Sequence, residues 1–122
     1  MANDPCELIR KRLQQYEDKL GVSFFDDWDS QAFPYVKFLP DGSIITFNCD
    51  KDYFYGGASV GNIRAMLDEA IRISTLMGCQ YIRTWTPRNA RAYGKLTNST
   101  LVGHEYDEHG RLINIMERTV HG

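Results

Sequence analysis

The stretch from Tyr53 to Gly103 most constrains what this chain can fold into. It reads as an aromatic strand at Tyr53-Phe54-Tyr55, a glycine-bearing turn through Gly56, Gly57, Ala58, Ser59, Val60 and Gly61, and then a long amphipathic segment. In that segment Ile63, Met66, Leu67, Ala70, Ile71 and Met77 recur at helical spacing and share one face, and Gly78 closes the helix. Tyr81 to Thr86 is a second strand, and Pro87-Arg88-Asn89 turns it into a short helix from Ala90 to about Leu96, weakened at its centre by Gly94. A helix whose N-terminus follows a flexible turn presents bare backbone N–H groups, which suit a phosphate. Gly57, Ser59, Val60, Gly61 and Asn62 are therefore candidate anion-binding residues, with Asn62 or Ser59 as the helix cap. The same glycines also serve a bulge and a sharp strand-to-helix turn without any ligand. The turn lacks the glycine density and the basic residue that a good phosphate cradle wants.

Around this centre the rest of the chain falls into short elements. Asp4 as N-cap, Pro5 at the first helical position and Glu7 in the capping-box position start a helix. Its apolar stripe is Ile9, Leu13, Tyr16 and Leu20, and Gly21 stops it. Val22 to Ser30 mixes Phe24, Phe25 and Trp28 with Asp26, Asp27 and Asp29, and reads equally as a short helix or a packed loop. Pro34 to Leu39 and Ser43 to Asn48 form a hairpin over Pro40-Asp41-Gly42, with Asp52 to Tyr55 antiparallel to its second strand. Leu101 to Tyr106 and Arg111 to Arg118 close the chain as a hairpin around Asp107-Glu108-His109-Gly110. With 122 residues, no repeat and no linker, residues 1–122 make one α+β domain with a mixed, mostly antiparallel sheet flanked by helices.

Charge and composition exclude several classes. A net charge of −2 lacks the basic excess of a general nucleic-acid binder. No apolar run approaches the roughly 20 residues of a membrane span, and the polar start Met-Ala-Asn-Asp-Pro is no signal peptide. Cys6, Cys49 and Cys79 are odd in number and widely spaced, which suits a reducing compartment and offers no metal-ligand spacing. His104 shares a strand face with Tyr106 and is a candidate base, with a structural histidine as the plainer alternative. Asp26, Asp27 and Asp29, with Asp50 and Asp52, either receive a cationic amine or keep an aromatic loop soluble. Arg83, Arg88, Arg91 and Lys95 are the one basic concentration, suited to phosphates or to an acidic partner, or simply to solvent.

The order of elements from Tyr35 to Glu117, about two-thirds of the chain, resembles the fold of the Gcn5-related N-acetyltransferases. In that family a strand leads into a pyrophosphate loop, Arg/Gln-x-x-Gly-x-Gly/Ala, and then a long helix. Here Ser59 and Gly61 take its two small positions and Gly56 stands where the family has its basic or amide residue. The following strand ends near an Asn, as Tyr81 to Thr86 does before Asn89. The resemblance implies acetyl-CoA held by Gly57, Ser59, Val60, Gly61, Asn62 and Asn89, with Tyr93 or His104 moving a proton. Departures are equally plain. The tyrosine that often lies seven residues beyond the Asn is Leu96, the usual Gly-Phe is replaced by Thr100-Leu101, and no strand precedes the first helix. The tail, with Trp85, Asn89, Glu105, Tyr106, Asp107 and Gly110, is similar to that of degenerate internal virion proteins of short-tailed bacteriophages. That likeness implies a non-catalytic protein acting through protein partners in a virion or in the cytoplasm of a host cell, with no cofactor. A working acetyltransferase remains the alternative expectation, and a small adaptor with a coincidental likeness is the third.

Overall fold

The structure, a computed structural model, describes residues 4–122. Helix α1 (Pro5–Leu20) begins where the Asp4 carboxylate accepts the Cys6 amide at 2.9 Å and ends at Gly21 with φ 75°. The undecided segment that follows contains one short helix, α2 (Phe24–Asp27), capped by Ser23. Strands β1 (Tyr35–Phe38), β2 (Ile44–Cys49) and β3 (Tyr53–Val60) form an antiparallel meander. Helix α3 (Ile63–Met77) crosses over to β4 (Tyr81–Thr86), which pairs parallel to β3, the arrangement that needs such a crossover. After α4 (Ala90–Thr97) come β5 (Thr100–Tyr106) and β6 (Leu112–Thr119), which folds back between β4 and β5. The sheet order is β1-β2-β3-β4-β6-β5, mixed through its single parallel pair.

Alternate residues of the strands bury opposite faces. Ile44 and Val60 pack with Tyr16 and Phe24 under α1 and α2, while Ile45, Phe54 and Ile82 pack with Met66 and Ala70 under α3. No helix among the described residues is long and apolar enough to cross a membrane.

The glycine segment corrects the sequence reading. Strand β3 does not end at Tyr55 but runs on through Val60, so Gly56, Gly57 and Ser59 are strand residues and not a loop. The glycines are there because neighbours approach closely. A Cβ on Gly57 would lie 2.5 Å from the Phe33 ring, and one on Gly56 would touch Thr84 at 3.4 Å. Only Gly61 and Asn62 connect β3 to α3. At Gly61, φ is 127° and a Cβ would sit 2.1 Å from Ser43 Oγ, so this position admits glycine alone.

Candidate functional site

The site begins as a failure of two strands to stay together. The β3–β4 ladder runs from Tyr53↔Tyr81 to Gly56↔Thr84 and stops, although β3 continues to Val60 and β4 to Thr86. Strand β4 remains tied to β6 as far as Thr86↔Asn114, so the two strands part into a wedge. A β-bulge lies at the point of parting. Phe47 pairs with Gly56 and Ile45 with Ser59, which leaves Gly57 and Ala58 opposite Thr46 alone. Thr46 Oγ1 donates to the Ala58 carbonyl at 2.7 Å and pins the extra residue. Bulges re-aim the backbone and recur beside active sites.

Two cavities open from this wedge, of about 530 and 540 Å³. They share Tyr16, Gly57, Ala58, Trp85 and Pro87, so they meet at the bulge. The first is lined by the end of β3 and the adjoining Gly61, by Arg88, Asn89 and Tyr93, and by Lys19 of α1. Its charged groups are Lys19 and Arg88, with no carboxylate in the lining. The second is lined by Phe33, Tyr55 and Trp85 together with Asp27, Asp29, Glu105 and Asp107, against the single cation Arg111. One chamber is basic and the other acidic and aromatic.

In the acidic chamber Arg111 bridges Asp27 at 2.6 Å and Asp107 at 2.7 Å, joining α2 to the β5–β6 turn. Burial alone would raise the Asp107 carboxyl, but Arg111 and backbone donors hold it below its ordinary range. Tyr16 Oη hydrogen-bonds Asp27, and burial, with Asp27 next, raises this phenol well above its usual range. It stays protonated at the junction. Arg111 Nη1 is buried with no protein partner.

In the basic chamber the Arg88 backbone is fixed on both sides: its amide donates to Thr86 Oγ1 at 3.2 Å and its carbonyl accepts from Asn114 Nδ2 at 2.9 Å. The guanidinium is largely buried, which lowers its pKa, and reaches only Ser59 Oγ at 3.5 Å and Thr86 Oγ1 at 3.4 Å. The start of α3 lies beside it. Asn62 caps the Ala65 amide and gives its own amide to Ser43 Oγ at 3.0 Å. This leaves the Ile63 and Arg64 amides as first-turn donors with no protein partner among the described residues.

Gly57, Ser59, Val60, Gly61, Asn89 and Tyr93 thus line the basic chamber, and Asn62 caps the helix beside it. His104 lines neither chamber, being exposed on the outer strand β5. Leu96 is 61% exposed at the rim of the basic chamber. Sequence reasoning missed the role of Tyr16, which sits in an ordinary apolar stripe; it named Arg88 within a basic group suited to phosphates or an acidic partner, but not its burial, which depends on where β4 leads. The doubled glycine at Gly56-Gly57 was the available signal for the bulge. No group of three or more His, Cys, Asp or Glu side chains among the described residues is arranged to hold a metal.

No protein-family model matches the chain, and no curated protein matches its sequence. Its shape is similar to solved acetyltransferase structures. A candidate N-acetyltransferase from Lactobacillus plantarum superposes with TM-score 0.66 at 17% identity, over 93% of this chain and 90% of that one. Ard1 from Thermoplasma volcanium gives 0.63 at 11% identity, over 98% and 95%. An aminoglycoside 6'-acetyltransferase of type Ii gives 0.56 at 11% identity, over 98% and 96%. The fold is that of the Gcn5-related N-acetyltransferases.

Proposed function

We propose that this chain is an acyl-CoA-dependent N-acyltransferase whose acceptor is a cationic amine. The observation that carries the reading is the meeting of two chambers of opposite charge at the bulge between the parted strands. A polyanionic donor suits the side lined by Lys19 and Arg88, and an ammonium suits the side lined by Asp27, Asp29, Glu105 and Asp107. A coenzyme A thioester would supply an acyl group already activated toward an amine. The protein then has mainly to position and desolvate. Past Gly56↔Thr84 the facing main-chain edges of β3 and β4 have no partner strand and are free to hydrogen-bond an extended ligand. Gly57, Ser59, Val60, Gly61, Asn62 and Asn89 hold the donor. Phe33, Tyr55 and Trp85 give the acceptor a face on which a cation is attracted to aromatic rings. Tyr93, on the wall of the donor chamber, would give its Oη proton to the departing thiolate, and the proton that the acceptor ammonium sheds as its nitrogen bonds to the acyl carbon would restore the phenol.

Free thiol released from acetyl-CoA, followed against a panel of polyamines, amino sugars and basic peptides, tests this directly. Release that needs a cationic acceptor, and falls about a hundredfold or more in Tyr93→Phe, is the expected result. No release with any amine contradicts the reading.

A different observation favours a second reading, a catalytically degenerate relative of phage type that works through protein contacts in a virion or a host cell. Leu96 replaces the proton donor, and the outer strand β5 exposes Leu101 by 51% and Val102 by 49% along an unpaired edge. Such an edge is a template for another chain. Under this reading acetyl-CoA is not turned over, and substitutions on β5, rather than in the wedge, remove the function.

A further inference from the structure

We infer that Arg88 is the anion receptor of the wedge, binding the phosphate-ester oxygens of the donor; this rests on the acyl-CoA reading above. The other partly buried arginines of this protein each have a carboxylate or carbonyl partner, although Arg111 leaves its Nη1 without one. Arg111 bridges Asp27 at 2.6 Å, and Arg83 bridges Glu117 at 2.7 Å. Arg118 gives its guanidinium to the carbonyls of Thr97, Thr119 and Val120 at 2.8, 2.9 and 3.4 Å. Arg88 has neither a carboxylate nor a carbonyl. It has two hydroxyl contacts at 3.4 and 3.5 Å, at the far limit of a hydrogen bond, and both fall on Nη1. Nε and Nη2 have no protein partner among the described residues.

The guanidinium is partly buried, so water still reaches Nε and Nη2, but no charged partner offsets the hydration it has lost. A ligand anion replaces it. The head group is held ready for one by the two backbone hydrogen bonds that fix residue 88, to Thr86 and Asn114. It spans the wedge from the end of β4 to Ser59 on β3, two residues before the turn into α3. The planar fork of arginine matches two phosphate oxygens at once. Gly56 has no side chain to offer charge from its own strand, so the cation comes from across the wedge.

Calorimetric titration with coenzyme A, pantetheine and inorganic pyrophosphate separates the readings, using the wild type, Arg88→Met and Arg88→Lys. Coenzyme A is expected to bind Arg88→Met about tenfold or more weakly than the wild type, and Arg88→Lys in between. Pantetheine, which lacks the pyrophosphate, should change by less than about twofold. Pyrophosphate binding should disappear from Arg88→Met while its thermal midpoint stays level or rises, since a partly buried charge with no ion-pair partner has gone. Undiminished binding of coenzyme A by Arg88→Met overturns the inference and leaves the transferase reading standing. Equal loss of coenzyme A and pantetheine with a lowered midpoint also overturns it, by making Arg88 structural. A wild type that binds pyrophosphate through Arg88 but not coenzyme A overturns the donor reading and keeps the anion receptor. Failure to bind either overturns both.

Discussion

At the scale of single residues, glycine has two different jobs in this chain, and they respond differently to mutation. Gly57 clears room for the Phe33 ring beside the bulge, whereas Gly61 is needed for both its backbone angle and its contact with Ser43. Blocking the donor site at Gly61 would therefore damage the fold as well as the site. A Gly61→Ala protein should lose about 3 kcal/mol, from a strained φ together with an overlap that Ser43 cannot relieve without moving. Gly110→Ala, with φ 77° but no neighbour within 4 Å, should lose only about 1 kcal/mol. Urea unfolding of the two variants checks the difference, and equal losses would show that the Ser43 contact carries no weight. Residues also account for what could not be read in advance. Arg88 stands two places after a strand and one before a helix cap, a setting that looks solvent-exposed in one dimension. Its burial follows from the parting of β3 and β4, a long-range event with no local signature.

At the scale of elements, the local signals were strong. Pro5 after Asp4, Gly21 and Gly78 at helix ends, the period of Ile63 to Met77 and the Asp41-Gly42 turn all correspond to elements seen here. The glycine segment did not, because Gly56 and Gly57 mark crowding across a sheet rather than a turn, and sequence alone does not separate the two. The link between α3 and the outer strand β1 is likewise invisible in sequence. Glu69 meets Arg72 at 2.5 Å on its own helix and Lys37 of β1 at 2.6 Å. Arg72 chiefly, helped by Lys37, lowers the Glu69 carboxyl from 4.5 to about 2. A depressed folded-state value stabilises the protein above the unfolded value and stops doing so as acid protonates it. Stability should therefore fall between pH 4.5 and about 2 in the wild type, and that part of the slope should be absent in Glu69→Gln. Urea midpoints measured across this range test it, and superimposable pH profiles for the two proteins would contradict it.

At the scale of the whole molecule, the proposed function rests on one asymmetry. The sheet is split on one seam, and the two chambers beside it carry opposite charge: Lys19 and Arg88 in one, Asp27, Asp29, Glu105 and Asp107 in the other. These groups come from α1, from α2 and the segment after it, from the β4–α4 link and from the β5–β6 hairpin, which only the complete topology brings together. That explains why the acidic loop and the basic concentration were visible in sequence while their opposition across a cleft was not. The most direct test is to map amide chemical shifts of the isotope-labelled protein during separate titrations with acetyl-CoA and with a polyamine. Acetyl-CoA should move the signals of Gly57 to Arg64 and Arg88 to Tyr93, and the polyamine those of Asp27 to Phe33, Tyr55 and Glu105 to Arg111. Shifts confined to β5, or the same residues answering to both ligands, would contradict a two-chamber transfer site.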